Sequence, residues 1–326
     1  MNSIELVSKT IRGESCPVTP VYGWLSDYMA DKLAKTHGSW QNFEDEYDFD
    51  LAHIFTKVFP YDREALGKIE DLTPEKALEV PLLDVNDISL YESVKRDLKF
   101  YREDRQRFCY VQSYGIFEAC NAAFGIENHL CHMLEYPDEL NEFYRRQCEW
   151  NKQFINNVID LGVDMVHISD DWGSQRSLLF SPEIWRNMIA PYHREMAELV
   201  KSRGKFLSLH SDGWIREIVP DLVDIGYDLV HPWQENAGMD YSLYLENYQD
   251  KFAIMGGLCV QSVLGFGKYD LLEKEIRRVF GLLKDKRWVC CTTHFVEEHC
   301  SVEELVFAYD LVNELAGKKS AKAGIR

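Results

Sequence analysis

The chain has 326 residues, enough to bury a large core in one α/β domain or in two smaller ones. Its formal charge of −18 argues against a nucleic-acid partner, because neutralising phosphates requires a basic face. No apolar run approaches the roughly 20 residues that cross a bilayer, so no membrane span is expected. The nine cysteines include no CxxC pair, and the N-terminus lacks the apolar core of a signal peptide. A cytoplasmic protein with free thiols is therefore expected.

The first third of the chain differs in pattern from the rest. Residues 1–100 are predicted to form a mostly helical and loop-like segment, with an early strand around 17–22. Between 105 and 316, short apolar runs alternate with amphipathic segments, which is typical of regular strand–helix units. Strands are predicted at 109–114, 164–169, 205–210, 228–233, 252–257 and 287–294. Helices are predicted at 137–161, 182–203, 214–225, 270–284 and 302–316.

Two of these helices carry clear start signals. Ser181 precedes Pro182, which places a capping residue before proline at the first helical position. Ser301 and Glu304 have the spacing of a capping box, and an apolar stripe follows them. Both signals support helices that follow buried strands.

The alternation predicts an α/β fold, a (β/α)8 TIM-type barrel with a mostly helical N-terminal extension, as one domain over 1–326. A doubly wound sheet is the competing fold. No GxGxxG or GxxxxGK[ST] element follows any predicted strand, which argues against that competitor.

Histidines stand at the carboxyl ends of two predicted strands. In a barrel His210 and His294 would face the same mouth, where active sites are built. Imidazole is the commonest metal ligand, so His210, Cys259 and His294 are candidate zinc ligands. No compact ligand spacing supports the metal. For His210, a catalytic or ligand role and a hydrogen-bonded histidine lining the mouth both stay open.

Asp170 and Asp171 close another apolar run, and burying two acids without partners is costly. Alternation along a strand sends their side chains to opposite sides, so only one can point into the mouth. We predict that Asp171 is the catalytic one, together with His210 and His294, and that Asp170 caps the following turn.

Aromatic and polar residues cluster just past the predicted strand ends, which suits an apolar, aromatic ligand. Taken singly, each large aromatic residue is more commonly core packing. The residues predicted to bind substrate are Tyr22, Trp24, Tyr114, Trp172, Gln175, Asp212, Trp233 and Gln234.

Motifs over most of residues 105–315 resemble the uroporphyrinogen decarboxylase superfamily, in particular its methyltransferase branch. They are DDWGSQ (170–175), SPEIWRNMIAPY (181–192), LHSDG (209–213), DIGYDLVHPWQ (224–234), GGLCVQ (256–261) and CTTHFVEEHCSVEELVFAYD (291–310). The resemblance implies a (β/α)8 barrel with its pocket at the carboxyl ends of the strands. The N-terminal third is similar only through PVTPVYGW (17–24).

Within that superfamily, the segment 21–29 favours methyl transfer over decarboxylation. Members that decarboxylate uroporphyrinogen carry two arginines near the first strand for a substrate with many carboxylates. This segment has no arginine and contains Asp27 instead. Guanidinium groups are the natural partners of carboxylates, so their absence suggests a neutral methyl donor.

The methyltransferase branch moves methyl groups between small donors and a corrinoid on a separate protein, and some members bind zinc through a His-x-Cys element and a later cysteine. Here Asp212 stands in place of the first cysteine, and the later position falls at or beside His294. The chain therefore resembles the O-demethylase methyltransferases of anaerobic bacteria, which act on phenyl methyl ethers.

The resemblance implies an aromatic methyl ether as donor, a corrinoid-binding protein as partner, and an ether oxygen surrounded by Asp171, His210 and His294, with or without zinc. A homodimer is the default for soluble enzymes. The alternatives are a methylamine, methanol or thiol as the methyl donor or acceptor, a decarboxylase-like activity, and a non-catalytic barrel that only binds ligand.

Overall fold

The computed structural model describes residues 1–56 and 58–318. Seven strands are hydrogen-bonded in chain order in one sheet. Their bounds are β1 Leu51–Ile54, β2 Phe108–Tyr114, β3 Met165–Ser169, β4 Phe206–His210, β5 Leu229–His231, β6 Ala253–Leu258 and β7 Trp288–Thr292. In five of them every residue is buried, as expected for parallel strands covered on both faces.

Helices follow most of the strands, as the alternation predicts. In the N-terminal third they are α1 Ser3–Arg12, α2 Asp27–His37, α3 Trp40–Glu46, α4 Arg63–Gly67, α5 Pro74–Leu78 and α6 Glu92–Asp97. The later ones are α7 Ile116–Phe124, α8 Ile126–Glu135, α9 Pro137–Asp160, α10 Pro182–Met188, α11 Ala190–Ser202, α12 Val219–Ile225, α13 Tyr241–Asn247, α14 Tyr269–Leu283 and α15 Val302–Ala316. None of the helices in 1–56 and 58–318 has both the length and the apolar composition needed to cross a membrane.

Two of the predicted helices are divided. The segment predicted as 182–203 breaks at Ile189 into α10 and α11, because Pro191 has no N–H to donate to the preceding turn. In the segment predicted as 214–225, a short 3-10 turn precedes α12, and Pro220 lies in the first turn of α12. Proline therefore sets both helix starts.

The chain divides into two compact units. Unit 1 contains residues 1–53, 103–108 and those from Asp228 onward, whereas unit 2 contains 54–102 and 109–227. The single domain predicted over 1–326 stays a prediction.

In unit 1, β5, β6 and β7 pair in parallel. The segment 20–25 lies beside β7 through two isolated parallel bridges, Val21 with Cys290 and Leu25 with Val296. The early strand predicted around 17–22 is therefore wrong as a continuous strand, since Pro20 has no N–H and pairing is only intermittent. An eighth strand is not formed within residues 1–56 and 58–318, and the four-residue β1 is too short to stand out in the sequence.

In unit 2, β2, β3 and β4 pair in parallel with a continuous register. The register aligns Tyr114 with Ser169 and Ser169 with His210, so the last residues of three neighbouring strands form one row. The loops that follow this row carry the polar residues singled out by the sequence.

Candidate active site

Asp170 is a completely buried structural acid. Its carboxylate accepts hydrogen bonds from the backbone N–H groups of Ile116 (3.0 Å), Phe117 (3.2 Å) and Glu118 (2.6 Å), which open α7. His193 Nε2 lies 2.8 Å from the same carboxylate. Asp170 therefore caps the helix after β2, and the prediction that it caps the turn after β3 is wrong.

Asp171 points the other way and is 41% exposed. Its Oδ1 accepts the backbone N–H of Asp212 (2.9 Å) and lies 3.8 Å from His210 Nε2. His210 ends β4 and is only 4% exposed. The two residues predicted as catalytic within unit 2 are therefore neighbours, as alternation along the strand suggests.

Two further carboxyl groups near Asp171 hold protons unusually tightly. Burial, and then repulsion from Asp171, raises the pKa of Asp212 to about 7. Burial followed by the same repulsion raises the pKa of Glu118 to about 8, although the Ser169 hydroxyl donates a hydrogen bond to its Oε2 (2.6 Å). Proton donors that titrate near neutrality are therefore concentrated here.

The loops after β3 and β4 are joined by backbone contacts that fix these acids. The Trp214 N–H donates to Ser174 O (2.7 Å), and the Trp172 N–H donates to Ser211 Oγ (3.2 Å). A Cβ on Gly173 would lie 2.5 Å from Asp212 O, so this approach requires glycine. The DDWGSQ and LHSDG motifs thus specify one joined structure.

His210 and Asp212 can both contribute to a metal site. Their ligand atoms lie within 4.8 Å of each other, as do those of His210 and the buried His167. One imidazole and one carboxylate form an incomplete set for zinc, which usually takes three protein ligands at a catalytic centre. The donors present in unit 2 therefore fit zinc in chemical type.

Tyr114 ends β2 and is 9% exposed. Its ring stacks on Phe59 with centroids 4.1 Å apart, and Phe55 approaches it at 6.4 Å. Burial and the nearby Glu118 raise the pKa of its hydroxyl to about 12, so it stays neutral. Its ring gives the site an aromatic wall.

Trp172 and Gln175, in the loop after β3, are also predicted to bind substrate, and one is buried while the other is exposed. Trp172 is fully buried and packs against Trp185 (5.2 Å) and His193 (5.0 Å), so it belongs to the core in this conformation. Gln175 is exposed in a turn closed by a hydrogen bond from Ser174 N to Ser177 O (2.7 Å).

In unit 1, an aromatic and imidazole cluster surrounds Trp24. The Trp24 ring lies 4.3 Å from His231, 4.8 Å from His53 and 6.1 Å from His294. Its backbone N–H donates to Thr292 Oγ1 (2.9 Å), which ties the segment 20–25 to the end of β7. His294 is half-buried two residues beyond β7.

Two residues of unit 1 that are predicted to bind substrate, Trp233 and Tyr22, are buried and make packing and local polar contacts. Trp233 is 1% exposed and packs among Tyr244, Tyr248 and Phe252. Tyr22 is 5% exposed, and its hydroxyl accepts the His53 N–H (3.1 Å).

Gln234 and Cys259 lie in a separate group of polar side chains in unit 1. The buried Gln234 donates to Gln261 Oε1 (2.7 Å). Cys259 is half-buried and accepts from Asn236 Nδ2 (3.1 Å), so an amide contacts its sulfur.

Glu118 is the site residue that sequence reasoning missed. It follows the end of β2 by four residues, in the first turn of α7. Acidic residues are common in the first turn of a helix, because the helix dipole stabilises a negative charge there. The sequence position of Glu118 therefore does not distinguish a site residue from an ordinary helix residue. The available signal is that α7 starts where a buried strand ends.

Comparison with known proteins identifies the family. The model of the family described as uroporphyrinogen decarboxylase (URO-D) matches residues 113–315, well over half of the chain. No curated protein matches. Among solved structures, a methyltransferase from Methanosarcina mazei has 15% identity and a TM-score of 0.75, covering 96% of this chain and 99% of that one.

Weaker likenesses extend to two other enzymes. A B12-independent methionine synthase from Shewanella sp. W3-18-1 has 12% identity and a TM-score of 0.44, over 68% of this chain and 65% of that one. A sugar phosphate isomerase/epimerase from Parabacteroides distasonis has 12% identity and a TM-score of 0.47, over 92% and 96%. The Methanosarcina structure shares the fold, and the family match confirms the resemblance seen in the motifs: the chain belongs to the uroporphyrinogen decarboxylase family.

Proposed function

We propose that this protein is a methyltransferase that moves the methyl group of a small aromatic methyl ether to the cobalt(I) of a corrinoid carried by a separate protein. Family membership and the fold shared with a methyltransferase support methyl transfer. The choice of an ether rests on one observation: next to Asp171, the pKa of the Glu118 carboxyl group is raised to about 8 and that of Asp212 to about 7.

The chemistry requires an acid because a phenolate is a poor leaving group. The cobalt(I) acceptor supplies the electron pair for the new bond to the methyl carbon, and the carbon–oxygen bond of the ether breaks. The released oxygen takes a proton from the protein. A positioned acid contributes about 10²–10⁴-fold to such a step, most effectively when its pKa is near the working pH.

Each residue then has a distinct role. The protonated carboxyl group of Asp212 or Glu118 donates to the ether oxygen. Burial and the charge of Asp171 keep these protons bound, and His210 lies beside Asp171, with its Nε2 3.8 Å from Oδ1.

From unit 1, we propose that His294 also faces the ether oxygen and that Trp24 contacts the ring. This assignment follows the principle that active-site residues gather past the carboxyl ends of barrel strands. The eight-stranded barrel predicted from the sequence remains part of this proposal, with the segment 20–25 in the eighth position.

Zinc is compatible with the same residues. His210 and Asp212 would hold it, with His294 or Cys259 as a further ligand, and bound zinc would supply Lewis-acid polarisation of the ether oxygen. Zinc binding would release the Asp212 proton, so zinc affinity should rise as the pH passes about 7.

The direct test incubates the protein with a panel of methoxybenzenes and a reduced corrinoid protein. The expected result is methylcobalt(III) absorbance together with an equimolar phenol. His210→Ala should abolish turnover while keeping the folded far-UV spectrum, whereas the matched control Glu198→Gln, on the exposed face of α11, should remain fully active. No methylation with any ether in the panel would refute the assignment, and full activity of His210→Ala would refute the role of His210.

A further inference from the structure

A row of buried polar side chains in unit 2 leads from three different elements to the backbone of Glu118. Tyr227 follows the end of α12, His193 lies on α11, and Asp170 follows β3. The Tyr227 hydroxyl lies 2.6 Å from His193 Nδ1, and His193 Nε2 lies 2.8 Å from Asp170 Oδ2. Tyr227 is 3% exposed, and the other two are fully buried. Burying such groups is costly unless each one has a partner, so the row is a specified feature of the fold.

Hydrogen bonds are donated along this row in one direction, toward Asp170. Burial, and then the charge of Asp170, raises the pKa of the Tyr227 hydroxyl, which therefore keeps its proton. His193 Nδ1 is the acceptor that the described part of unit 2 offers to this hydroxyl, so Tyr227 donates to Nδ1. The hydrogen of the imidazole ring then lies on Nε2, and His193 donates it to Asp170. Tyr227 thereby fixes the tautomer in which His193 can hold the carboxylate.

Asp170 transmits this constraint to the first turn of α7. Its carboxylate accepts the N–H groups of Ile116, Phe117 and Glu118, and the contact with Glu118, at 2.6 Å, is the shortest of the three. The preceding residue, Ser169, donates its hydroxyl to the Glu118 carboxyl group, also at 2.6 Å. Two consecutive residues at the end of β3 therefore hold both the backbone and the side chain of Glu118.

A cap from the residue just before the helix is not possible at α7. Ser181 caps α10 in that common way. At α7 the preceding residue is Gly115, whose N–H donates to Ser169 O (2.6 Å) and where a Cβ would lie 2.3 Å from Asp170. The close approach that excludes a local cap also brings Glu118 into contact with Ser169. The position of Glu118 therefore requires a distant acid and the residues that hold this acid.

We propose that His193 and Tyr227 are positioning residues for the acid Glu118. They orient Asp170, and Asp170 keeps the first turn of α7 at the end of β3, where Ser169 holds the acid. A misplacement of about 1 Å can cost about 10²-fold in rate, so a defect in this row should appear in kcat. That Glu118 is the acid rests on the proposed function, whereas the dependence of its placement on His193 and Tyr227 does not.

Tyr227→Phe removes one hydroxyl from the row and keeps the ring. With a methoxybenzene and a reduced corrinoid protein, kcat should fall by about 10-fold while KM for the ether changes by less than about twofold, because the loss is in the placement of the acid. Tyr91→Phe is the matched control. Tyr91 is also buried in unit 2, and its hydroxyl donates to Val85 O (2.6 Å) and accepts from Asn157 Nδ2 (2.9 Å).

Both tyrosine variants lose a buried hydroxyl, so denaturant unfolding should show a similar, small loss of stability in the two. Only Tyr227→Phe should lose kcat. A wild-type kcat in Tyr227→Phe, or an equal fall of kcat in both variants, would overturn the inference.

Two variants of His193 supply a rescue test. His193→Gln keeps an N–H donor for Asp170, whereas His193→Phe keeps a ring of similar shape without a donor. The glutamine variant should therefore retain a several-fold higher kcat than the phenylalanine variant. Equal losses in the two folded variants would contradict the role of His193, and Tyr227→Phe decides the inference if His193→Phe does not fold.

Hydrogen exchange of the protein alone separates this inference from the proposed function. The N–H groups of residues 116–118 should exchange at least about 10-fold faster in Tyr227→Phe than in the wild type, and at the wild-type rate in Tyr91→Phe. Unchanged exchange in Tyr227→Phe would overturn the inference even if ethers are demethylated. Faster exchange at 116–118 without methyl transfer to any corrinoid would instead refute the proposed function and leave the positioning of Glu118 standing.

Discussion

Glu118 and Asp212 bind protons at a pH where ordinary carboxylic acids have lost them. In both residues burial is the main cause and the charge of Asp171 is the second. Desolvation disfavours a charged group, and a like charge nearby adds to that cost. The carboxyl group of Asp171 therefore acts as a negative charge, whereas those of Glu118 and Asp212 can act as proton donors.

Glu118→Gln should lower the rate of methyl transfer. Glutamine keeps an acceptor for the Ser169 hydroxyl but cannot donate an acidic proton, so kcat should fall by about 10²–10⁴-fold if Glu118 is the acid. In the wild type, kcat should decline as the pH rises through about 8. Steady-state rates between pH 5.5 and 9.5 test this, and an unchanged rate in Glu118→Gln would assign the role to Asp212.

Asp171→Asn should shift the pH dependence of kcat. Asparagine still accepts the Asp212 N–H, but the repulsion that raises the pKa values of Glu118 and Asp212 disappears. The decline of kcat should therefore begin at a lower pH than in the wild type. Asp160→Asn, which removes an exposed charge paired with Arg203, is the control and should leave the profile in place. A profile that does not move would contradict the coupling.

The raised pKa of Glu118 also predicts how stability depends on pH. Below its ordinary pKa near 4.5 both the folded and the unfolded states hold the proton. Between about 4.5 and about 8 the unfolded state loses it first, so the free energy of unfolding should fall as the pH rises through this window. Denaturant unfolding at pH 5, 6.5 and 8 should show a smaller decline in Glu118→Gln; an equally steep decline would exclude Glu118 as its source.

At the scale of elements, the turn between β2 and α7 is the most constrained segment near the site. Gly115 precedes α7, and a Cβ there would lie 2.3 Å from Cβ and Cγ of the buried Asp170. The carboxylate that caps α7 can approach its backbone only because this position carries no side chain. The strand end, the glycine and the distant acid together place Glu118.

Gly115→Ala should therefore lower the free energy of unfolding by about 3 kcal/mol or more, the upper end for overpacking, because the added methyl group overlaps Asp170 in a closely packed region. Gly281→Ala is the matched control: Gly281 lies inside α14 with open space around it. That substitution should instead stabilise by about 0.5–1 kcal/mol, since alanine favours the helix. Thermal denaturation of the two variants should give shifts of opposite sign.

The capping box predicted at α15 is only half formed. Ser301 Oγ accepts the Glu304 N–H (3.1 Å), as the spacing predicts. The Glu304 carboxylate does not return to the cap and instead accepts the N–H groups of Gly265 (3.0 Å) and Gly267 (2.9 Å) in the loop after β6. The local sequence pattern identifies the start of α15, whereas the hydrogen-bond partners of Glu304 come from a loop about 40 positions earlier in the chain.

At the scale of the whole molecule, unit 1 is assembled from three separate stretches of the chain, and a buried ion pair joins the first stretch to the last. Asp50 and Lys318 lie 2.6 Å apart, each only 3% exposed. Asp50 also accepts the Val21 N–H and the Ser3 hydroxyl, both at 2.8 Å. One carboxylate therefore connects α1, the segment 20–25 and the last described residue.

Lys318→Met should destabilise the protein by about 3–5 kcal/mol, because it leaves the Asp50 charge buried without its partner. The double variant Asp50→Asn with Lys318→Met should recover part of that loss, since no charge then remains unpaired. Lys68→Met removes a largely exposed pair with Glu64 and should cost about 1 kcal/mol or less. Equal losses in Lys318→Met and Lys68→Met would contradict the role of the buried pair.

The α/β class, the order of β2 to β7 and the family could all be predicted from the amino-acid sequence. Strands buried on both faces appear as continuous apolar runs, and the polar residues just past their ends mark the site without tertiary information. Within unit 2 this reasoning correctly placed Asp171 beside His210. It could not locate the short β1 or exclude a continuous strand at 17–22, because neither segment has a long enough pattern.

The contacts of individual side chains could not be predicted from the sequence and became visible in the fold. Trp172 and Trp233, which the sequence predicts to bind substrate, pack against aromatic neighbours from other elements, and their contact with substrate stays a prediction. Asp170 becomes a helix cap, and Glu118 becomes an acid of raised pKa, through groups more than 50 positions away in the chain. Burial, protonation and capping depend on which atoms are close in space, and a pattern along the chain contains no such distances.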